Sequence, residues 1–344
     1  MAEREFSIQK MPQKKDPIQH FTTFRKALLR WFEKNAKAHP WRQTTDPWAI
    51  LVSEIMLQQT TVASVLANRR FEKFLAEFPD IDSIAQAPEE KILRAWEGLG
   101  YYNRVRNLQK AARAVLNDHG GVFPSEAEAL ESLPGIGRYT AGAVSSFAFN
   151  QPAPIVDGNI ARVISRLLDS HVAIDSTEGQ RISWETAGRL LDTHSPRLFN
   201  SALMELGQTV CTPRSPTCLT CPVNQFCQTT APESLPAKKP RKKFVQVEEH
   251  AFLWIEGDRI LLSTGHDTRR RGFWKLPLRS PDECAHLEAE STHRYVITHH
   301  KVTLHLYRAE PPNQLPEEHY HRIDKLADLP IATPIRKILN QALD

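Results

Sequence analysis

Apolar positions follow a helical period through the first part of the chain and a strand period towards its end. Behind Asp16-Pro17, an N-cap with an N1 proline, Phe21, Phe24, Leu28 and Phe32 fall three or four residues apart. Asp46-Pro47 repeats that start signal ahead of an apolar run reaching Leu57. Further amphipathic helices are expected at 61–77, 88–97, 101–119, 138–149, 158–169, 177–192 and 196–209, punctuated by Gly98, Gly100 and Gly120-Gly121. Beyond 245, EEHAFLWIEG, RILLST, FWKLPL and HRYVITHHKVTLHLYRAE alternate as strands do, and a short helix is expected near 334–342. The stretch between, QTTAPESLPAKKPRKKF, mixes Pro, small residues and a basic run, the composition of an exposed linker. The pattern therefore predicts a flexible 1–15, an all-α domain over 16–230, a linker over 231–244 and a small α+β domain over 245–344.

Composition narrows the class. At 344 residues with 41% apolar side chains, seven Trp and fifteen Phe, the chain can bury real cores. Its formal charge of +4 permits a polyanionic partner without demanding one. The start, MAEREFSIQKMPQKK, lacks the apolar stretch of a secretory signal, and no run is long enough to span a bilayer. A soluble cytoplasmic protein without a membrane partner is expected. In such a compartment five Cys point to metal rather than to disulfides.

Four of them, Cys211, Cys218, Cys221 and Cys227, form Cys-x6-Cys-x2-Cys-x5-Cys. Four thiolates in one loop can bind a zinc ion or an iron–sulfur cluster. Having a single close pair favours the cluster over a zinc ribbon. Cys284 reads as a small core residue.

Leu133-Pro134-Gly135-Ile136-Gly137-Arg138 joins a helix expected over 126–132 to one starting near Arg138. Gly135 and Gly137 would let backbone N–H groups face outward at a helix N-terminus, an anion site suited to DNA phosphate. A plain αα-hairpin turn is the alternative. The basic runs 238–243 and 269–271 read equally as phosphate-tracking or as solvated segments.

Two carboxylates stand in different surroundings. Glu54 is the only charge on an otherwise apolar helix, so burial should raise its pKa and suit it to general-acid work. A structural ion pair with Arg42 or another nearby arginine is the competing reading. Asp157 precedes a helix beginning near Gly158 and reads as an N-cap, a position that also holds a carboxylate ionised. A neutral acid beside an ionised carboxylate is the pairing used to cleave glycosidic bonds.

Together these segments resemble the helix-hairpin-helix DNA glycosylases that carry an iron–sulfur cluster, and within them the MutY-type adenine DNA glycosylases. The matching strings are HPWR (39–42), SEIMLQQT (53–60), GLGYYNRVRNL (98–108), LPGIGRYTAGAV (133–144), VDGN (156–159), ALMELG (202–207) and the cysteine loop. The similarity is close over 18–230 and looser beyond. It implies a hairpin lobe over 41–150, a cluster lobe made of 16–40 and 151–230, and a 4Fe–4S cluster. It implies that Glu54 is the general acid, that Asp157 steadies the cationic sugar, and that Tyr139 and Asn159 support them. Trp41, Arg42 and Leu57 would line the pocket for a flipped adenine, while Gln59, Thr60 and Tyr101 would enter the duplex near the opposite base. The substrate implied is double-stranded DNA with adenine opposite 8-oxoguanine or guanine, bound by a monomer in a bacterial, nucleoid-associated setting.

Bifunctional relatives similar to endonuclease III carry Lys where this chain has Tyr139, so base removal without strand cleavage is expected. The C-terminal segment resembles a Nudix-like domain but lacks the Nudix hydrolase box, which argues against pyrophosphohydrolase activity. Its 8-oxoguanine-sensing loop would fall at Ile297-Thr298-His299. Ser201 stands where the family has Gln or Glu to read the adenine edge. Another base as substrate, or DNA binding without catalysis, are the rival functions.

Overall fold

The computed structural model describes residues 19–240, 244–264, 272–297 and 299–343. The Asp16-Pro17 start, Thr298, and the basic positions at 241–243 and 269–271 lie outside the described residues. In chain order the helices are α1 (Phe21–Asn35), α2 (Pro47–Leu57), α3 (Val62–Leu66), α4 (Arg70–Glu77), α5 (Ile81–Gln86), α6 (Glu89–Ala95), α7 (Asn103–Asp118), α8 (Ala127–Glu131), α9 (Arg138–Phe149), α10 (Gly158–Leu167), α11 (Thr177–Leu190) and α12 (Pro196–Thr209). Strands β1 (Val245–Phe252), β2 (Ile255–Glu256), β3 (Arg259–Ser263), β4 (Leu278–Arg279), β5 (Ser291–Ile297), β6 (His300–Tyr307) and β7 (Glu318–Arg322) follow, with α13 (Pro281–Cys284) and α14 (Thr333–Leu343). Among the described residues no helix is long and apolar enough to cross a membrane.

Backbone packing divides the chain into two compact units, Met1–Ile55 with Ala114–Pro240 and Met56–Arg113 with Arg241–Asp344. In the first unit the expected stripe of α1, Phe24, Leu28 and Phe32, packs into a core with Ile160, Val163, Ile164 and Leu167 of α10 and Phe199, Leu203 and Leu206 of α12. Phe24 meets Phe226 edge-on, with ring centroids 5.6 Å apart. The Asp46-Pro47 start signal acts as read. Asp46 accepts from the backbone N–H groups of Trp48 and Ala49, opening α2, and Pro196 stands in the first turn of α12. Gly179 permits a close approach: a Cβ there would lie 2.1 Å from the Ala173 carbonyl oxygen.

The second unit combines α3–α7 with two sheets of order β4-β1-β6-β5 and β2-β3-β7. Strand β1 pairs parallel with β6 and antiparallel with β4. Ile335, Ile338 and Leu339 of α14 pack on Leu253, Ile260, Leu262, Leu304 and Leu306. Within this unit Tyr102 packs on Phe273 at 4.1 Å between centroids, and Arg336 pairs with Glu97 at 2.5 Å.

Several local expectations change. The helix read over 61–77 breaks at 67–69, where Asn68 and Arg69 take positive φ and α4 restarts. Helix α5 has six residues, too few to display a period, and its Asp80–Ser83 capping box is its main signal. Strand β7, EHYHR, has no apolar alternation. Its Glu318 is buried by a bidentate pair with Arg279 at 2.6 and 2.9 Å. Of FWKLPL only Leu278 joins a strand, while Trp274 and Lys275 make isolated bridges. The segment 231–240, read as exposed linker, runs along the first unit: Leu235 is buried, Ile174 N–H donates to Ala237, and Lys239 N–H donates to Asp175.

Phe24→Ala is expected to cost about 3–5 kcal/mol, whereas Leu198→Ala at an exposed position of α12 should stay within about 0.5 kcal/mol. Urea unfolding of both variants checks this.

Candidate active site

Helix α2 is apolar on nearly every face and is buried throughout its middle, so Glu54 goes in with it and is only 3% exposed. Its Oε2 accepts a hydrogen bond from the Tyr139 hydroxyl at 2.9 Å. Tyr139 is the second residue of α9, so the hairpin turn before it sets where the phenol points. Burial pushes the Glu54 carboxyl up to about 7; the Tyr139 hydrogen bond opposes, Asp157 adds to the rise, and Arg42 opposes weakly. Burial and the two neighbouring carboxyls push the Tyr139 hydroxyl well above its ordinary value, leaving it a donor. The ion pair of the competing reading is not made by Arg42 with Glu54; Arg42 pairs elsewhere. Arg42 Nη1 lies 2.7 Å from Glu205 Oε2, and the guanidinium sits over the Phe32 ring.

Asp157 is the N-cap of α10, its Oδ1 accepting from Ile160 N–H at 2.7 Å. Its Oδ2 accepts from Asn159 Nδ2 at 2.7 Å. Asn159 Oδ1 in turn accepts from Arg162 Nη2 at 2.9 Å, and Arg162 Nε donates to the Cys211 carbonyl at 2.8 Å. Gly207 makes room for this: a Cβ on it would stand 2.8 Å from the Asn159 Cβ. Tyr139, Asp157 and Arg42 thus all act on Glu54 within one unit, and Glu54 and Asp157 act on Tyr139. Trp41, also in this unit, is buried and stacked on His39 at 5.0 Å, and Ser201 is half-buried on α12.

The hairpin has α8 and α9 joined by a turn in which Leu133 and Ile136 are buried anchors and Gly135 takes φ +75°. Gly137 is the N-cap of α9 with extended backbone, so its conformation does not require glycine; a Cβ there would meet open space.

The cysteine loop leaves α12 at Cys211 and runs through two 3-10 turns, Cys218–Thr220 and Asn224–Phe226. Arg166, buried, donates to Cys211 Sγ at 3.2 Å and to the Thr212 carbonyl at 2.8 Å. Burial, with Cys211, Cys227 and Cys218 adding, pushes the Cys221 thiol up to about 12. Three thiols close enough to act on Cys221, with Arg166 donating to Cys211 Sγ, suit a group that binds thiolates. Among the described residues no group of three or more His, Cys, Asp or Glu side chains is arranged to hold a metal ion, so the fit rests on the donor set.

The second unit carries Leu57, Gln59, Thr60, Tyr101 and His299. Gln59 and Tyr101 are exposed and take positive φ, 54° and 46°. One residue that sequence reading passed over holds both segments. Arg104 donates to the carbonyls of Met56, Gln58, Leu99 and Gly100 and to Thr60 Oγ1. It lies within GLGYYNRVRNL, where nothing separates it from Arg106. His299 is exposed in the turn between β5 and β6, its carbonyl accepting from Val245 N–H.

A family model described as HhH-GPD superfamily base excision DNA repair protein matches residues 52–187. An adenine DNA glycosylase of Homo sapiens is 41% identical over 220 residues, which cover 61% of this chain and 40% of that protein. One of Buchnera aphidicola subsp. Baizongia pistaciae is 33% identical over 256 residues, covering 73% of this chain and 71% of that protein. The chain thus spans about two fifths of the human relative. A solved thermostable thymine-DNA glycosylase is 32% identical, with a TM-score of 0.56 over 61% of this chain and 96% of that one.

Because the Glu54 pKa rises on folding, the unfolded chain loses this proton first as pH rises from 4.5. Folding is therefore penalised progressively up to about pH 7 and constantly above it. Relative to the parent, Glu54→Gln should gain stability across that window and level off at about 3 kcal/mol. Denaturant unfolding of both proteins from pH 4 to 8 checks the sign.

Proposed function

The chain belongs to the adenine DNA glycosylase family of the HhH-GPD superfamily, and from that premise we propose that it excises adenine paired with 8-oxoguanine or guanine in double-stranded DNA, without cutting the strand. The observation that carries the proposal is a buried Glu54 carboxyl, pushed up to about 7, held by a tyrosine hydroxyl and influenced by Asp157. A carboxyl that still holds its proton near neutral pH can donate it to the ring nitrogen of a flipped base, N7 of adenine, so that the base leaves uncharged. The C1′–N9 bond then breaks, and the electron pair goes to the base. Positive charge collects on the sugar, and the Asp157 carboxylate steadies it until water adds. Tyr139 has no amine to attack the sugar, so no Schiff base forms and the backbone stays intact. In the same reading Trp41 and Arg42 of the first unit contact the base, and Leu57, Gln59, Thr60 and Tyr101 of the second unit contact the DNA.

Gly135 and Gly137 present the first turn of α9 to a DNA phosphate. The C-terminal sheets serve as a Nudix-like domain whose 297–299 segment senses 8-oxoguanine, Thr298 offering a hydroxyl where Ile297 offers no ring. Cys211, Cys218, Cys221 and Cys227 hold a 4Fe–4S cluster, which when bound ties the loop through four metal–thiolate bonds.

A duplex holding adenine opposite 8-oxoguanine should acquire alkali-labile sites at the adenine. Glu54→Gln should abolish them, and borohydride should trap no protein on the DNA. Strand cleavage without alkali, or release of a different base, would reject the proposal. Purified protein should contain iron and absorb broadly in the visible, and Cys221→Ser should lose both while a stoichiometric zinc content would replace the cluster reading.

A further inference from the structure

Glu205 on α12 is fully buried, and sequence reading gave it no task. Arg42 Nη1 is 2.7 Å from its Oε2, yet neither Glu205 oxygen meets hydrogen-bond geometry with any described group. The carboxylate is therefore desolvated and compensated mainly by one guanidinium. Among the described residues the Arg42 guanidinium also donates to the Lys37 carbonyl at 3.0 Å and lies over the face of Phe32. Its charge also reaches Glu54.

We propose that Glu205 is a positioning residue for the candidate acid: it holds the Arg42 guanidinium as counter-ion, so that Arg42 does not turn to Glu54 and strip its proton. The inference rests on Glu54 being the general acid of the proposed reaction. The groups acting on Glu54 are Tyr139 from α9, Asp157 from the head of α10 and Arg42 from the turn Pro40–Arg42. Among the described residues Arg42 meets the Lys37 and His39 carbonyls and the Glu205 carboxylate, and His39 feels both Arg42 and Glu205. Of these Glu205 is the one anion, so removing its charge leaves Arg42 uncompensated beside a site that contains a second carboxyl. An opposite charge drawn close to a carboxyl lowers its pKa by about 1–3 units. A base-binding arginine is thereby kept near the acid without forming a salt bridge to it.

The test is the pH dependence of single-turnover adenine release by the full chain. A general acid gives a limb along which the rate falls as pH rises through its pKa. In Glu205→Gln this limb should move down by about one unit, lowering the rate about tenfold on the alkaline side and much less on the acidic side. Glu205→Asp, which keeps the charge, should restore most of the limb. If Glu205→Gln does not fold, Arg42→Met/Glu205→Gln removes both charges and should return the limb to the parental position or above it. A limb that stays put in Glu205→Gln while the rate drops equally at every pH would overturn the proposal, as would a lowered limb in the double variant. The infrared carbonyl band of protonated Glu54, identified by its loss in Glu54→Gln, reads the same titration without catalysis. Should the parent release no adenine, the functional reading fails while this band still tests the positioning role: a downward shift in Glu205→Gln supports it and an unmoved band overturns it.

Discussion

The hydrogen bond between the Tyr139 hydroxyl and a desolvated Glu54 is the interaction around which the first unit is arranged. A carboxyl inside an apolar helix costs folding energy whenever it ionises, and α2 offers it no cation of its own. The tyrosine limits that cost without supplying a charge. A lysine at the same place would pair with Glu54 and hold it ionised, so in the proposed reaction the residue at the head of α9 governs both the protonation of Glu54 and the absence of an amine nucleophile. The hairpin matters to chemistry for the same reason: Gly137 begins the helix whose second residue is Tyr139.

From Asp157 a continuous line of hydrogen bonds runs through Asn159 and Arg162 to the carbonyl of Cys211. The carboxylate is thus located at two levels. Its N-cap bond to Ile160 fixes it to the start of α10, and the side-chain line fixes α10 to the beginning of the cysteine loop. Each link is charge-assisted or accepts from a planar donor with fixed direction, which makes the line stiff. Gly207 shows the geometric condition, because any side chain there would push Asn159 out of line. Order in the cysteine loop is consequently felt at Asp157 through a few well-directed bonds, whatever group ties that loop.

What was legible in the sequence was whatever shows as period, cap or lone charge. The α1 stripe, the Asp46 and Asp157 caps and Glu54 on its apolar helix all belong there, because each is a local statement about a few neighbouring residues. The partner of Arg42 was not legible, since Glu205 lies far along the chain on α12 and reads as one more polar position of an amphipathic helix. Strand β7 was hidden because its buried Glu318 is neutralised by Arg279 from β4, a pairing only the fold creates. The tie between 231–240 and the first unit escaped for a related reason. Backbone bonds such as Ile174 to Ala237 depend on no side-chain type.

Arg104 extends the same lesson to the second unit. Gln59 and Tyr101 hold positive φ, a conformation that non-glycine residues keep only when their surroundings enforce it, at roughly 1–3 kcal/mol each. The enforcement comes from one guanidinium whose donors reach carbonyls on both segments. Burial pushes that guanidinium down to about 10, still well above neutral pH, so it stays charged and its bonds to carbonyl oxygens stay strong. Two exposed side chains are therefore carried on loops that are strained yet held fast, while Glu54 sits on an unstrained helix. The division suits the roles proposed for them. A proposed acid gains from the dry and constant environment of a helix interior, whereas a side chain proposed to project into DNA gains from a tight backbone turn, and the buried Arg104 cation shared between the loops keeps both turns in place.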